Sequence, residues 1–245
     1  MKKKLLIISS MFFCVLFLSV AGIRAKQIER NKIYSKGIDT IKKTQRVKKK
    51  DMERSKEERE DRQIYFDDVG NEYIFRGDTC TGFLNKEIVC SSEKKEYTEE
   101  EIIEISEKYL SELSNGIAYS YVENTYKEET GNYSVRYSYY KDYLLTDDTI
   151  IIDINKYGEL VSYVCPNQGK YLDYNNAMPT KMEIEEEIDS EVKKYYGNDA
   201  TYSIHLYYIS MYEGEICIKT SVEIEYEVNK EKYSEYKEII LMGLF

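Results

Sequence analysis

Two stretches of this chain begin a helix in the same way. Thr98-Glu99-Glu100-Glu101 sets a hydroxyl three residues ahead of a carboxylate, and Thr180-Lys181-Met182-Glu183 repeats the pattern 82 positions later. An N-cap threonine accepts from the N3 amide while the N3 glutamate reaches back to the N-cap amide, so each stretch is a capping box. Apolar residues follow at helical spacing: Ile102, Ile105, Tyr109 and Leu113 in the first, Ile184, Ile188, Val192 and Tyr195 in the second. Asn115-Gly116 and Gly197-Asn198 supply the stops.

Each helix is followed by runs that alternate apolar and polar residues, the period of a strand with one face covered. After the first come 117–126, 133–141, 149–155 and 159–165, the last two joined at Lys156-Tyr157-Gly158. After the second come 202–211, 215–228 and 233–244. In the middle run Ile216, Ile218, Val222, Ile224, Tyr226 and Val228 face one way and Glu223, Glu225 and Glu227 the other. The chain has 26 Tyr against 7 Phe and no Trp, and tyrosine packs its ring on a pleated face while its hydroxyl stays wet. The expected fold class is therefore α+β. Two repeated units, each one helix packed on an antiparallel meander sheet, follow a small β-hairpin region and an N-terminal hydrophobic helix.

Lys2, Lys3 and Lys4 precede an uncharged run from Leu5 to Ile23, which fits an export signal cut after Ser19-Val20-Ala21 or an uncleaved anchor. Residues 1–23 are read as that segment, 24–63 as a charged spacer, helical or disordered, and 64–92 as the hairpin region. Residues 93–172 and 178–245 hold the two repeats. Arg24, Lys26, Arg30, Lys32 and Lys36 outnumber the three leading lysines, and by the positive-inside rule alone would keep the C-terminal side in the cytoplasm. The signal-like pattern favours the opposite, an extracytoplasmic globular part on a cell membrane, or a secreted one after cleavage. Charge is divided: residues 1–63 are basic and the remainder strongly acidic within a net −10. Phosphates would be repelled from the globular part, which excludes nucleic acid as its partner, while the basic spacer suits an anionic wall polymer or lipid.

No residues combine into recognisable chemistry. Asp67-Asp68 beside Gly70-Asn71 is what a tight turn requires. Asp153-Ile154-Asn155-Lys156-Tyr157-Gly158 imitates a calcium loop but has Tyr157 and Val164 where oxygen ligands belong. A single histidine, His205, assembles no two-histidine metal site, and no catalytic residue, cofactor or metal is assigned. Cys80 and Cys90 lie in one expected hairpin and are candidates for a disulfide in an oxidising compartment. Tyr133, Tyr137, Tyr139 and Tyr143 either form a wet aromatic binding face or pack beneath a helix.

The stretch Tyr133-Ser134-Val135-Arg136-Tyr137, then Tyr143 to Asp148, then Ile150-Ile151-Ile152-Asp153-Ile154-Asn155-Lys156-Tyr157-Gly158-Glu159-Leu160-Val161-Ser162-Tyr163 resembles the PepSY-like repeat in its YcdB/YcdC-type form. The resemblance covers 98–165 well and 180–243 only by pattern. It implies a non-enzymatic module of exported or membrane-anchored bacterial proteins that binds or restrains a peptidase or another envelope protein. The expected function is thus binding or regulation in the cell envelope. The rivals are an envelope hydrolase or peptidase with an unrecognised site, and a passive spacer or adhesive surface protein.

Overall fold

Among the described residues hydrogen bonding assigns helix to 27–44 (α1), Glu99–Leu113 (α2) and Lys181–Tyr196 (α3), and eleven strands lie between and after them. The computed structural model describes residues 27–55, 62–86, 88 and 96–245, so the Leu5–Ile23 segment lies outside it. Among the described residues no helix is long and apolar enough to cross a membrane. The protein is a mixed α+β molecule with three helices and a large sheet among those residues. The chain forms two compact units. Unit 1 comprises the described part of 1–115 with 124–135 and 152–163; unit 2 comprises 116–123, 136–151 and 164–245.

In unit 1, β1 (Glu53–Arg54), β2 (Gln63–Phe66), β3 (Glu72–Arg76) and β4 (Thr79–Leu84) pair antiparallel in sequence, and β8 (Leu160–Val164) lies beside β4. Alternation buries Tyr65, Tyr73, Phe75 and Phe83, with Tyr65 edge-on to Phe75 at 5.4 Å. The β2–β3 turn is held by one carboxylate. Asp67 accepts from the amides of Val69 and Asn71 at 3.1 and 2.9 Å, from the Asn71 side chain at 3.0 Å and from the Tyr73 hydroxyl at 2.9 Å. Burial pushes its pKa up, but these donors outweigh it and hold the carboxyl below its ordinary value. A depressed folded pKa adds stability above the unfolded value that is lost as pH falls through the folded one. Asp67→Asn is therefore expected to cost about 1 kcal/mol near neutral pH, the turn being partly exposed, and to cost less in acid. Denaturant melts in neutral and acidic buffer check this.

The α2 capping box forms as expected, and Ile102, Ile105, Tyr109 and Leu113 are its buried stripe. Residues 27–44 fall in the stretch read as a charged spacer, and helical was one of its two expected states. A free, solvated tether does not describe them, because Ile33, Gly37, Ile41 and Thr44 form one stripe and the last three are buried. A Cβ on Gly37 would lie 2.3 Å from the Tyr109 ring, so only glycine lets α1 rest on that side chain. Thr44 and Tyr163 share a hydroxyl bond of 2.6 Å.

In unit 2, β10 (Glu215–Val228) pairs antiparallel with β9 (Thr201–Tyr212) and β11 (Glu231–Leu241). β7 (Leu144–Asn155) meets β9 in parallel at Thr146 and Ile209, and β6 (Asn132–Lys141) and β5 (Tyr119–Lys127) follow beyond β7. Only the portions of β5, β6 and β7 within 116–123 and 136–151 belong to this unit. Ile184, Ile188 and Val192 of α3 pack on Leu144, Ile209, Ile218, Val222, Ile224 and Leu241. Tyr195, expected on that stripe, is 70% exposed, and Tyr196 packs on the core instead. Four residues past Val192, Tyr196 continues the stripe better than Tyr195, three past it. The β10 alternation holds to Tyr226, but Val228 is 47% exposed at the strand end.

Candidate binding face

Strand β9 contains a bulge: Leu206 pairs with Ser221 and Ile204 with Val222, leaving His205 as the extra residue. A bulge flips the side-chain phase. Tyr202 and Ile204 face the core before it and Tyr207 and Ile209 after it. The other face of β9–β11, away from α3, consequently carries Leu206, Tyr208 and Tyr212 from β9, Lys219 and Glu223 from β10, and Tyr236 and Glu238 from β11. Leu206, Tyr212 and Tyr236 are exposed, Tyr236 to 70%. His205 lies against it, 5.3 Å from the Tyr236 ring and 3.7 Å from the Glu223 carboxylate. Around the bulge this face is open, with apolar side chains set among mixed charges; toward Tyr212 it is covered, Ser210 and Cys217 being buried. Unit 2 carries 20 Asp and Glu against 10 Lys and Arg, the whole net charge of the chain.

The buried Asp148 and the half-buried Asp147 are spent on holding the fold. Asp148 is fully buried; its two oxygens accept from the Tyr119 hydroxyl at 2.7 Å and the Gly169 amide at 2.8 Å. Burial raises its pKa, while those two donors restrain the rise. Asp147, pointing to the opposite face of β7, accepts from Tyr171 at 2.6 Å, Ser210 at 2.9 Å and Lys170 at 3.3 Å. Burial first, and the adjoining carboxylates second, drive the Tyr119 and Tyr171 phenols well above their ordinary pKa, so both remain protonated donors. Together these bonds pin the 167–171 loop to β7.

The four tyrosines singled out in the sequence do not make one open face. Tyr137 is buried with Tyr121 edge-on at 6.1 Å, Tyr139 packs on the unit 2 core, and Tyr133 lies 4.9 Å from Tyr126. Tyr143 is exposed along one side, and its hydroxyl donates to the Pro179 carbonyl. Cys80 and Cys217 carry free thiols. Cys90 lies outside the described residues, and the Cys80–Cys90 pairing with it.

The calcium-loop imitation is a hairpin turn. The Asn155 side chain accepts from the amides of Tyr157 and Glu159 at 3.0 Å each, and Asp153 accepts from Ser162 at 2.7 Å. No group of three potential metal ligands occurs among the described residues. A groove of ≈ 480 Å³ in unit 1 is lined by Ile33, Tyr97, Tyr157 and Leu160, with Lys36 and Glu159 3.8 Å apart at its mouth. It also borders Asn85 and Ile88, next to residues outside the description.

Of the two readings open for those tyrosines, a wet face or packing beneath other elements, Tyr137 and Tyr139 take the second. The β9 bulge has a signal in the sequence: Tyr202 and Ile204 are even-numbered and Tyr207 and Ile209 odd, a phase change that a single inserted residue produces. No family model matches the sequence, and no curated protein matches it. Among solved structures, the chain is similar to the Bacillus megaterium YpeB C-terminal domain, with a TM-score of 0.43 and 10% identity over 84% of this chain and 97% of that one. A likeness at that level carries nothing about function.

Proposed function

We propose that this protein is a non-catalytic binding module of the cell envelope that holds another envelope protein, a peptidase being one candidate, against the outer face of β9–β11. The observation that carries the reading is the exposed pair Leu206 and Tyr236 beside His205. Apolar rings of this kind, standing clear of the core, are what protein interfaces bury. The acidic balance of unit 2 favours a partner with a basic rim. Binding is favoured over hydrolysis because Asp148 and Asp147, buried and half-buried candidates for acid–base work, already accept bonds from neighbouring groups. Two capping-box helices, each followed by antiparallel strands, support the finer reading as two PepSY-like units. On this reading Leu5–Ile23 exports or anchors the chain, and the exposed Lys42, Lys43 and Arg46 of the basic stretch meet anionic lipid or wall polymer.

The test is affinity capture from envelope extract with the full chain and with a Leu206→Ser/Tyr236→Ser variant, both positions being exposed. The expected result is one partner retained by the native protein and reduced at least about tenfold by the variant. Equal recovery with both would remove the face from the account. C-terminal topology reporters active only in the cytoplasm would remove the envelope placement.

A further inference from the structure

Among the described residues β11 pairs on one side only, with β10, and its other edge is open along eleven residues, Glu231–Leu241. Open edges are normally blunted by charge. The β11 charges, however, alternate in sign, and Lys230, Lys232, Lys237 and Glu238 form no ion pair with another described residue. We propose that this edge pairs antiparallel with the same edge of a second copy of the chain, about a two-fold axis at Ser234.

Hydrogen bonding limits the registers. Along an antiparallel strand the amide and carbonyl of successive residues point to alternate sides. Residues that bond to β10 cannot also bond outward, so outward-pointing residues must face one another. A two-fold axis satisfies this only when it passes through a residue, never between two. Axes at Lys232, Glu235 or Lys237 set a charge against its own copy, and an axis at Tyr233 sets Glu231 against Glu235. An axis at Tyr236 avoids like charges but leaves Lys232 opposite Ile240.

At Ser234 no like charges meet. Glu231 falls opposite Lys237, Lys232 opposite Tyr236 and Tyr233 opposite Glu235, each twice by symmetry, and Ser234 meets itself. Opposite charges directly across a ladder are stabilising and like charges destabilising. The pattern thus accepts its own reverse at this register through the Glu231–Lys237 pair made twice. The edge is a different surface from the outer face, and the inference stands without the proposed partner there.

The test is sedimentation of the full chain in detergent over a concentration series. Glu231 and Lys237 are exposed, so their reversal leaves the fold intact. The native protein is expected to dimerise, more weakly as salt is added. Glu231→Lys and Lys237→Glu are each expected to weaken the dimer about tenfold, and the double reversal to restore it. Under mild oxidant Ser234→Cys is expected to give a disulfide-linked dimer absent from the native protein and from Tyr236→Cys. A native chain that stays monomeric, single reversals without effect, or a double reversal that fails to recover would each overturn the proposal.

Discussion

Replacing Tyr109 by alanine is expected to lower the stability of unit 1 by about 4 kcal/mol, read by denaturant unfolding. The ring is fully buried, and its hydroxyl donates to the Gly158 carbonyl at 3.2 Å. The ring also rests on the Gly37 backbone of α1. Those contacts predict a reversal of sign at the glycine. In an exposed helix Gly37→Ala would gain about 1 kcal/mol through helix propensity. Here the new methyl meets the ring, and the substitution is expected to cost about 2 kcal/mol instead. In the Tyr109→Ala background the same change is expected to stabilise, because the obstruction has gone. A double-mutant cycle measures the difference, and additivity of the two substitutions would show that α1 does not rest on Tyr109.

Tyr119→Phe is expected to destabilise unit 2 by about 2 kcal/mol near neutral pH, and by less below about pH 4. Burial raises the Asp148 pKa above its ordinary value. A carboxyl of that kind contributes its full stability when protonated and loses it as pH rises through the folded value. The Tyr119 hydroxyl limits that loss by bonding the charged form, so its removal matters most where Asp148 is ionised. Asp148→Ala is expected to cost about 3 kcal/mol, since it strands both the phenol and the Gly169 amide while relieving the burial of a charge. Urea unfolding at the two pH values separates these effects; a Tyr119→Phe penalty that does not change with pH would mean that the carboxylate is not the partner that matters.

What was legible in the sequence was local. Thr98 with Glu101 and Thr180 with Glu183 name their own helix starts, because a capping box is closed within four residues. The β10 alternation was legible for the same reason. The docking of α1 was not: Gly37 looks like an isolated flexible residue until Tyr109, 72 positions away, is placed against it. Asp147 and Asp148 hid the first half of β7, since two adjacent acids suggest a solvated turn, whereas Asp148 is buried, a burial that Tyr119 and Gly169 make tolerable, and the half-buried Asp147 is held by Tyr171, Ser210 and Lys170. The choice between a wet and a covered tyrosine face stayed open because alternation says which residues share a side of a strand but not which side other elements will cover. Tyr137 and Tyr139 are covered and Tyr236 is not.

The chain passes from one unit to the other after residues 115, 123, 135, 151 and 163. Neither unit is therefore a continuous piece of the gene. On the ribosome, where about 5–20 residues emerge each second, the first unit is incomplete until residue 163 appears and the second until the very last strands do. A nascent chain halted between those points would carry three strands belonging partly to a half that does not yet exist. Gene fusions or deletions that cut between 115 and 163 should accordingly be read as damage to both halves, never as the clean removal of one.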